Sequence, residues 1–575
     1  MRRRVDCGWS RRQWLRAAGT GLAATSLAGC DASKPAPVKR HFKNVPGEIV
    51  GQPVDDAHKL RDFAVSSTGS IPLTEPVIDC IVIGSGVAGG TTAWKLRRAG
   101  VDDVVLLELD DRVGGTSAWS EDATTAYPWA AHYVTTPPAW ADCLIEVLTD
   151  LGVLVGVRDE DGWPIGNPAY VVRHPAERLQ IGGRWTGDIL TSRSTDRAEQ
   201  HAMKQMADTL FAYMQQRSVT GRPAFTVPVA YSAADESLMQ LDRITMGAWM
   251  REHGFVGERL EWNVDYACRD DYGATRETVS AWAGIHYHAC RFHDDRYRYQ
   301  YPVETFTWPE GNGFLIRGLL RDTPPERVRT GHMVTAIEPS DEHVDLVVYD
   351  RRTHKLGRMR CRHCVFAGKL HVLGHILKTL SPQRLAALDR CRYAPWLVAQ
   401  VHVKRLPASD GRKTAWDNVR YESASLGYVV ANHQTRWSAG AAREADQPTV
   451  LTFYHPFSAD ADAARAEMLT RDHAWWADLV LNDLTAMHPE IESLVTRVDV
   501  MLYGHAMVVP VPGYIWAEDR ALRSAPIGRV HLAGADASGL ALYEEAVFHG
   551  LRAAEEVLDG LGRTFSTSLA NWNRS

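Results

Sequence analysis

The sequence predicts an α/β fold, and three observations carry the prediction. The composition is the first: 575 residues, 45% hydrophobic and 23% charged, with 45 Gly and 28 Pro, match a packed globular chain and exclude collagen, coiled coil and wholesale disorder. The second is the short, nearly continuous apolar run of residues 77–83, which suits a strand buried on both faces. The third is its sequel: Gly84-Ser85-Gly86-Val87-Ala88-Gly89-Gly90, a helical stretch over 91–99, and a second apolar run, Val104 to Leu107, ending in Glu108, 19 residues past Gly89. Strand, glycine turn, helix, strand and acid agree with one another, as a parallel nucleotide-binding unit requires.

The chain before that unit reads as an address and a tether. Ser10-Arg11-Arg12-Gln13-Trp14-Leu15 precedes an uncharged stretch from Ala17 to Gly29 and resembles a twin-arginine signal, a type that exports cargo already folded. Leu27-Ala28-Gly29-Cys30 resembles a bacterial lipobox, whose Cys is acylated to become the first mature residue; an anchored protein on the periplasmic side of a bacterial membrane is expected. Residues 1–30 are therefore assigned to the signal, and 31–76, rich in Pro, Lys and Ser/Thr, to a linker. Beyond the signal no run of 18 apolar residues occurs, so no spanning helix is expected. Lys+Arg 64 against Asp+Glu 70 leave a net charge of -6, which removes nucleic acid as a partner.

Within the turn each glycine has a job. Gly84 permits the tight turn, Gly86 lets backbone approach a pyrophosphate, and Gly89 lets the helix pack on the strand. Val87 and Ala88 open the helix whose amino terminus receives the phosphates, and Glu108 is placed to accept from ribose hydroxyls.

The residues after Glu108 turn the reading toward a flavin. Glu108-Leu109-Asp110-Asp111-Arg112-Val113-Gly114-Gly115 resembles the acid, Arg and paired-Gly extension of FAD enzymes of the flavin amine oxidase and phytoene desaturase type. Gly528-Arg529-Val530-His531-Leu532-Ala533-Gly534-Ala535-Asp536 is similar to that superfamily's late strand, and Tyr543-Glu544-Glu545-Ala546-Val547 to the helix that follows it. The resemblance implies that Leu109, Arg112, Gly114 and Gly115 flank the cofactor, that Gly534 and Asp536 meet the ribityl chain, and that Glu544 and Ala546 stand at the flavin pyrimidine edge. It also implies a middle β-segment at Val334-Thr335-Ala336-Ile337, with Val334 near adenine, and a returning strand at Cys364-Val365-Phe366-Ala367-Gly368. The fold is then a discontinuous Rossmann-like FAD domain over 77–135, 305–375 and 522–562, with a mixed α+β substrate domain over 136–304 and 376–521. The superfamily's Ser-Gly-Gly-Cys attachment is missing, so noncovalent FAD is expected. The activity implied is hydride transfer from a C–N or C–C bond of a small molecule to flavin N5, with oxygen or a quinone as electron acceptor. A desaturase or isomerase acting on an apolar substrate, or a flavoprotein without small-molecule turnover, are the alternatives.

The substrate side is less determined. Monoamine oxidases carry a Tyr two residues before the Glu of the late helix; here that position is Leu542 and the aromatic is Tyr543, which leaves an aromatic amine cage unsupported and favours an apolar substrate. Lys369 either approaches flavin N5 through a water or is a solvated loop Lys. His505 either relays a proton or is a structural histidine. Ala130 and Ala131, in Tyr127-Pro128-Trp129-Ala130-Ala131-His132-Tyr133, either let backbone approach the isoalloxazine or belong to an ordinary turn. Two aromatic clusters, Trp282 to His288 and Trp416 to Tyr428, are either pocket walls or core. No metal is expected: Cys361-Arg362-His363-Cys364 has no second pair to complete a tetrahedron and reads as a thiol pair on strand and turn, and His293-Asp294-Asp295-Arg296 reads as a solvated turn.

Overall fold

In the computed structural model, residues Ile78–Ile83 form a strand, β1, that lies between two parallel neighbours. Residues 42, 45–51, 54–60, 71–158, 162–187, 189, 196–290, 303–409, 412–436 and 446–569 are described; the Arg11-Arg12 and Cys30 motifs and the His293–Arg296 run lie outside them. The chain leaves β1 through the glycine turn into helix α1, Val87–Arg98, and returns as strand β2, Val104–Leu107, buried along its whole length. On the other side of β1 runs Lys355–Phe366, whose carboxyl half also pairs in parallel with Val530–Leu532 and whose first half pairs antiparallel with Val344–Asp350. This one long strand thus joins three distant stretches of chain into a seven-stranded sheet. The last helix, α2 (Tyr543–Gly560), crosses α1 so closely that a Cβ on Gly550 would sit 2.5 Å from the Ala88 carbonyl oxygen.

The intervening chain builds an eight-stranded mixed sheet. Three of its strands matter most here: β3 (Tyr393–Val403), β4 (Thr449–Pro456) and β5 (Val495–Val508), with β3 antiparallel to both of the others. Alternation along β3 divides the work. Leu397, Ala399 and Val401 pack with Trp476 and Leu481 in one core, whereas Trp396 and Val398 face the helices Glu258–Tyr272 and Ala281–Ala289 in another. No helix among the described residues is long and apolar enough to cross a membrane.

Two expectations are corrected. The stretch assigned to a linker is partly docked: Ile49–Val50 adds a parallel edge to β5, the Phe42 N–H donates to Asp478 at 2.8 Å, and Asp56, in the helix Val54–Lys59, accepts from Arg351 at 2.8 Å. An open sheet edge and a buried aromatic outweigh the loop-like composition of that stretch. The CxxC pair lies wholly inside the strand Lys355–Phe366, with both thiols free and buried.

Candidate active site

The glycine turn is shaped by contacts that no side chain could share. Gly84 has φ +99°, and a Cβ on Gly89 would fall 1.9 Å from the Gly84 carbonyl oxygen. Gly86 differs: its Cβ would meet only the Gly114 carbonyl oxygen, at 3.8 Å, so open space lies beside it. Gly86 is also the N-cap of α1 and supplies no side-chain cap, which leaves first-turn amides available to an anion. Glu108 ties the turn together. Its Oε2 accepts from the Ser85 amide at 2.9 Å and the Ser85 hydroxyl at 2.5 Å, its Oε1 accepts from the Asp110 amide at 2.9 Å, and burial pushes its carboxyl up against these bonds. The Gly114 amide donates to the same Ser85 hydroxyl at 3.1 Å, bringing the Gly114-Gly115 extension beside Gly86. Across the fold, Gly534, at φ +128°, has nothing nearer its would-be Cβ than the Gly368 carbonyl oxygen at 4.0 Å. A groove lined by bare backbone with an uncapped helix terminus fits a dinucleotide diphosphate, and Val87, Ala88, Gly86, Gly115 and Gly534 are the residues that would hold it.

Other members of the expected cofactor set occupy varied places. Asp536 is buried and accepts from the Tyr393 hydroxyl at 2.6 Å and the Leu370 amide at 3.1 Å. The Leu109 carbonyl accepts from Arg351 at 3.0 Å, Arg112 is half-buried, and Val334 sits inside the sheet core. Glu544 and Ala546 lie in the first turn of α2, Ala546 half-buried.

A cavity of ≈ 160 Å³ lies between the eight-stranded sheet, residues 130–135 and the start of α2. Ala130, Ala131, Leu542 and Tyr543 line it on the nucleotide side, and Trp396, Tyr454 and Tyr503 line it from β3, β4 and β5. The rings pack tightly: His132 stacks on Tyr454 at 4.8 Å between centroids and lies 5.3 Å from Trp416. Four carboxylates, Asp270, Asp271, Asp417 and Glu544, also line the cavity, and no Lys or Arg is among its described lining residues. Burial holds the Tyr454, Tyr503 and Tyr543 phenols far above their ordinary range, so they serve as neutral donors and apolar walls, not as acids. Directly behind Glu544, Glu545 is fully buried; its Oε1 accepts from the Val229 amide at 2.8 Å, and burial pushes its carboxyl up to about 7.

The two proposed catalytic side chains stand outside the lining. Lys369 donates to the Ala506 carbonyl at 2.9 Å and lies 3.7 Å from Asp536. His505 stacks on His371 at 4.6 Å, and burial drives both imidazoles down, to about 3 and about 4. The Trp282 cluster is core, since every residue of the helix Ala281–Ala289 is buried and none lines the cavity. The Trp416 cluster does both, with Trp416 packed in the core and Asp417 at the cavity. Sequence reading missed Asp270 and Asp271, which resemble the solvated charges of any helix end, and missed Trp396, Tyr454 and Tyr503, which carry no local motif.

A family model described as flavin containing amine oxidoreductase matches residues 87–558. Among solved structures, the chain is similar to cyclohexylamine oxidase from Brevibacterium oxydans IH-35A, at 16% identity and a TM-score of 0.58 over 85% of this chain and 100% of that one. It is likewise similar to wild-type putrescine oxidase bound to putrescine, at 14% identity and a TM-score of 0.60 over 84% of this chain and 99% of that one. Identities this low establish a shared fold. No curated protein matches.

Proposed function

The chain belongs to the flavin containing amine oxidoreductase family and is an FAD-dependent oxidoreductase, and on that premise we propose that it oxidises the C–N bond of a cationic amine in the aromatic cavity. The observation that carries this reading is the charge of the lining: four carboxylates and no described Lys or Arg. Such a lining attracts an ammonium ion and raises its local concentration. It thereby weighs against the apolar alternative that Leu542 favoured.

When bound, FAD supplies the hydride acceptor at N5. The chain's own residues bind, orient and exclude water. The uncapped terminus of α1 and the bare glycines hold the diphosphate, noncovalently, and Glu108 orients the turn. Trp396, Tyr454 and Tyr503 offer apolar and π faces to the substrate, a setting in which a cation gains about 0.5–2 kcal/mol from each well-placed ring. Asp270, Asp271 and Asp417 hold the ammonium charge on entry. We further propose, from the Arg11-Arg12 and Cys30 motifs, that the protein is exported and held to the periplasmic side by an acylated Cys30, and that it passes electrons on to oxygen or a quinone.

The test is anaerobic titration of FAD-loaded protein with an alkylamine, a diamine and the alcohol of matching length. Loss of the oxidised-flavin absorbance with an amine and not with the alcohol supports the reading; bleaching by the alcohol alone, or by no amine in a broad panel, refutes it.

A further inference from the structure

Ala130 to Tyr133 line one side of the cavity, and the carbonyls from Pro128 to Tyr133 are spoken for one after another. Gln400 Nε2 donates to the Pro128 carbonyl at 2.6 Å, the Tyr503 hydroxyl to Trp129 at 3.2 Å, and the Tyr454 hydroxyl to Ala130 at 2.9 Å. The Asn312 amide reaches the Ala131 carbonyl at 3.0 Å, the Thr307 hydroxyl reaches His132 at 2.7 Å, and Asn312 Nδ2 reaches Tyr133 at 3.2 Å. Six consecutive carbonyls accept in this way. The first three donors come from β3, β5 and β4 of the other sheet. The first is itself held: Gln400 is fully buried, and its Oε1 accepts from the equally buried Thr452 hydroxyl at 2.9 Å. On the amide side, Trp129 donates to the Ala118 carbonyl and Ala131 to the Thr116 carbonyl, each at 2.8 Å, while the Ala130 N–H has no acceptor among the described residues.

A turn needing only its own stability does not require three buried donors from a separate sheet, each costly to leave unpaired. We propose that Gln400, Tyr454 and Tyr503 are positioning residues: they fix the carbonyl edge of residues 128–130 and so hold the loop in register against whatever the cavity binds. The assignment rests on the proposed function for what is bound, but the clamp itself belongs to the ligand-free chain. Tyr454 and Tyr503 have two separable tasks, because the ring lines the cavity and the hydroxyl holds the loop. Phe at either position keeps the first and removes the second.

Hydrogen exchange of the 127–134 peptide, measured on FAD-free protein, reads the clamp directly. Tyr454→Phe and Tyr503→Phe should each speed exchange of the Trp129 and Ala131 amides about tenfold, as expected for the loss of one buried hydrogen bond. On FAD-loaded protein the same variants should lower kcat about tenfold with KM within a factor of two, since the aromatic wall remains while the alignment is lost. Gln400→Leu should act in the same direction, and if it does not fold the two Phe variants still decide. Wild-type exchange rates in both Phe variants would overturn the proposal. So would a rise in KM at constant kcat, which would make the hydroxyls substrate-binding groups. Failure of any amine to reduce the wild-type flavin would instead strike the functional reading, and the exchange measurement on FAD-free protein would stand apart from it.

Discussion

Gly86→Ala and Gly89→Ala, only three residues apart in one motif, should fail in opposite ways. At Gly89 a Cβ would lie 1.9 Å from the Gly84 carbonyl oxygen, a contact with a backbone atom that no rotamer relieves. Overpacking of this kind costs ~1–3 kcal/mol and more when the backbone must move, so Gly89→Ala should destabilise the chain with or without cofactor by at least about 3 kcal/mol. At Gly86 the nearest atom is 3.8 Å away and the backbone is at φ -65°, ψ -175°, which any residue adopts. The FAD-free variant should therefore unfold within about 0.5 kcal/mol of wild type. Its defect is confined to the space a pyrophosphate needs. FAD at 100 times its dissociation constant adds ~2.7 kcal/mol to the wild type, and a hundredfold loss of affinity would cut that increment to about 0.4 kcal/mol. The assay is unfolding of stripped protein across an FAD titration. If Gly86→Ala lowered the stability of the FAD-free chain as Gly89→Ala does, or kept the full FAD increment, the assignment of the turn to phosphate binding would fall.

Three further outcomes are expected. Asp270→Asn with Asp271→Asn should lower kcat/KM for a monoamine about tenfold and flatten its dependence on ionic strength, as initial rates from low to high salt would show. Burial raises Glu545 from an ordinary 4.5 to about 7, so the folded chain retains a proton that the unfolded chain has lost between those values. The stability it contributes is whole below about pH 4.5 and declines as pH rises through 7; Glu545→Gln should thus gain on wild type by on the order of 3 kcal/mol between pH 4.5 and 8, and a flat difference in urea unfolding would refute this. Arg11→Lys with Arg12→Lys should leave folded, flavin-loaded protein inside the cell, as fractionation and flavin absorbance would register; unimpaired export would count against the twin-arginine reading.

The cofactor half of the molecule was legible because its chemistry is local. Gly84 to Gly89, Glu108 and the strands around them act within about 30 residues, where spacing alone states the geometry. The second sheet was legible only as a mixed domain, since its pairing joins residues as distant as Ile49 and Val500. The docking of Phe42, Ile49–Val50 and the helix Val54–Lys59 was illegible for the same reason, because a Pro-rich stretch reveals nothing of the open sheet edge that receives it. Lys369 and His505 each carry two readings in the sequence, because their chemistry is plausible while their packing partners are remote along the chain. Each carries the right chemistry at a plausible place in the chain, yet the backbone carbonyl of Ala506 takes the Lys369 ammonium and His371 takes the face of His505.

Under the proposed function, Leu542 taken alone is a poor guide to the substrate. Its aliphatic side chain lines the cavity, and so does the neighbouring Tyr543. The case against an amine assumed that recognition of the cation depends on an aromatic residue at that one point. Here aromatic area enters from β3, β4 and β5, and the charge that complements an ammonium comes from Asp270, Asp271, Asp417 and Glu544, which lie on three further elements. Coulombic attraction falls off slowly with distance in a cavity of low dielectric, so these carboxylates need no common motif and no fixed spacing to act together. Selectivity for a cation can therefore persist while the residue beside the late helix changes, and the acids, not Leu542, are where a change of substrate class would have to be made.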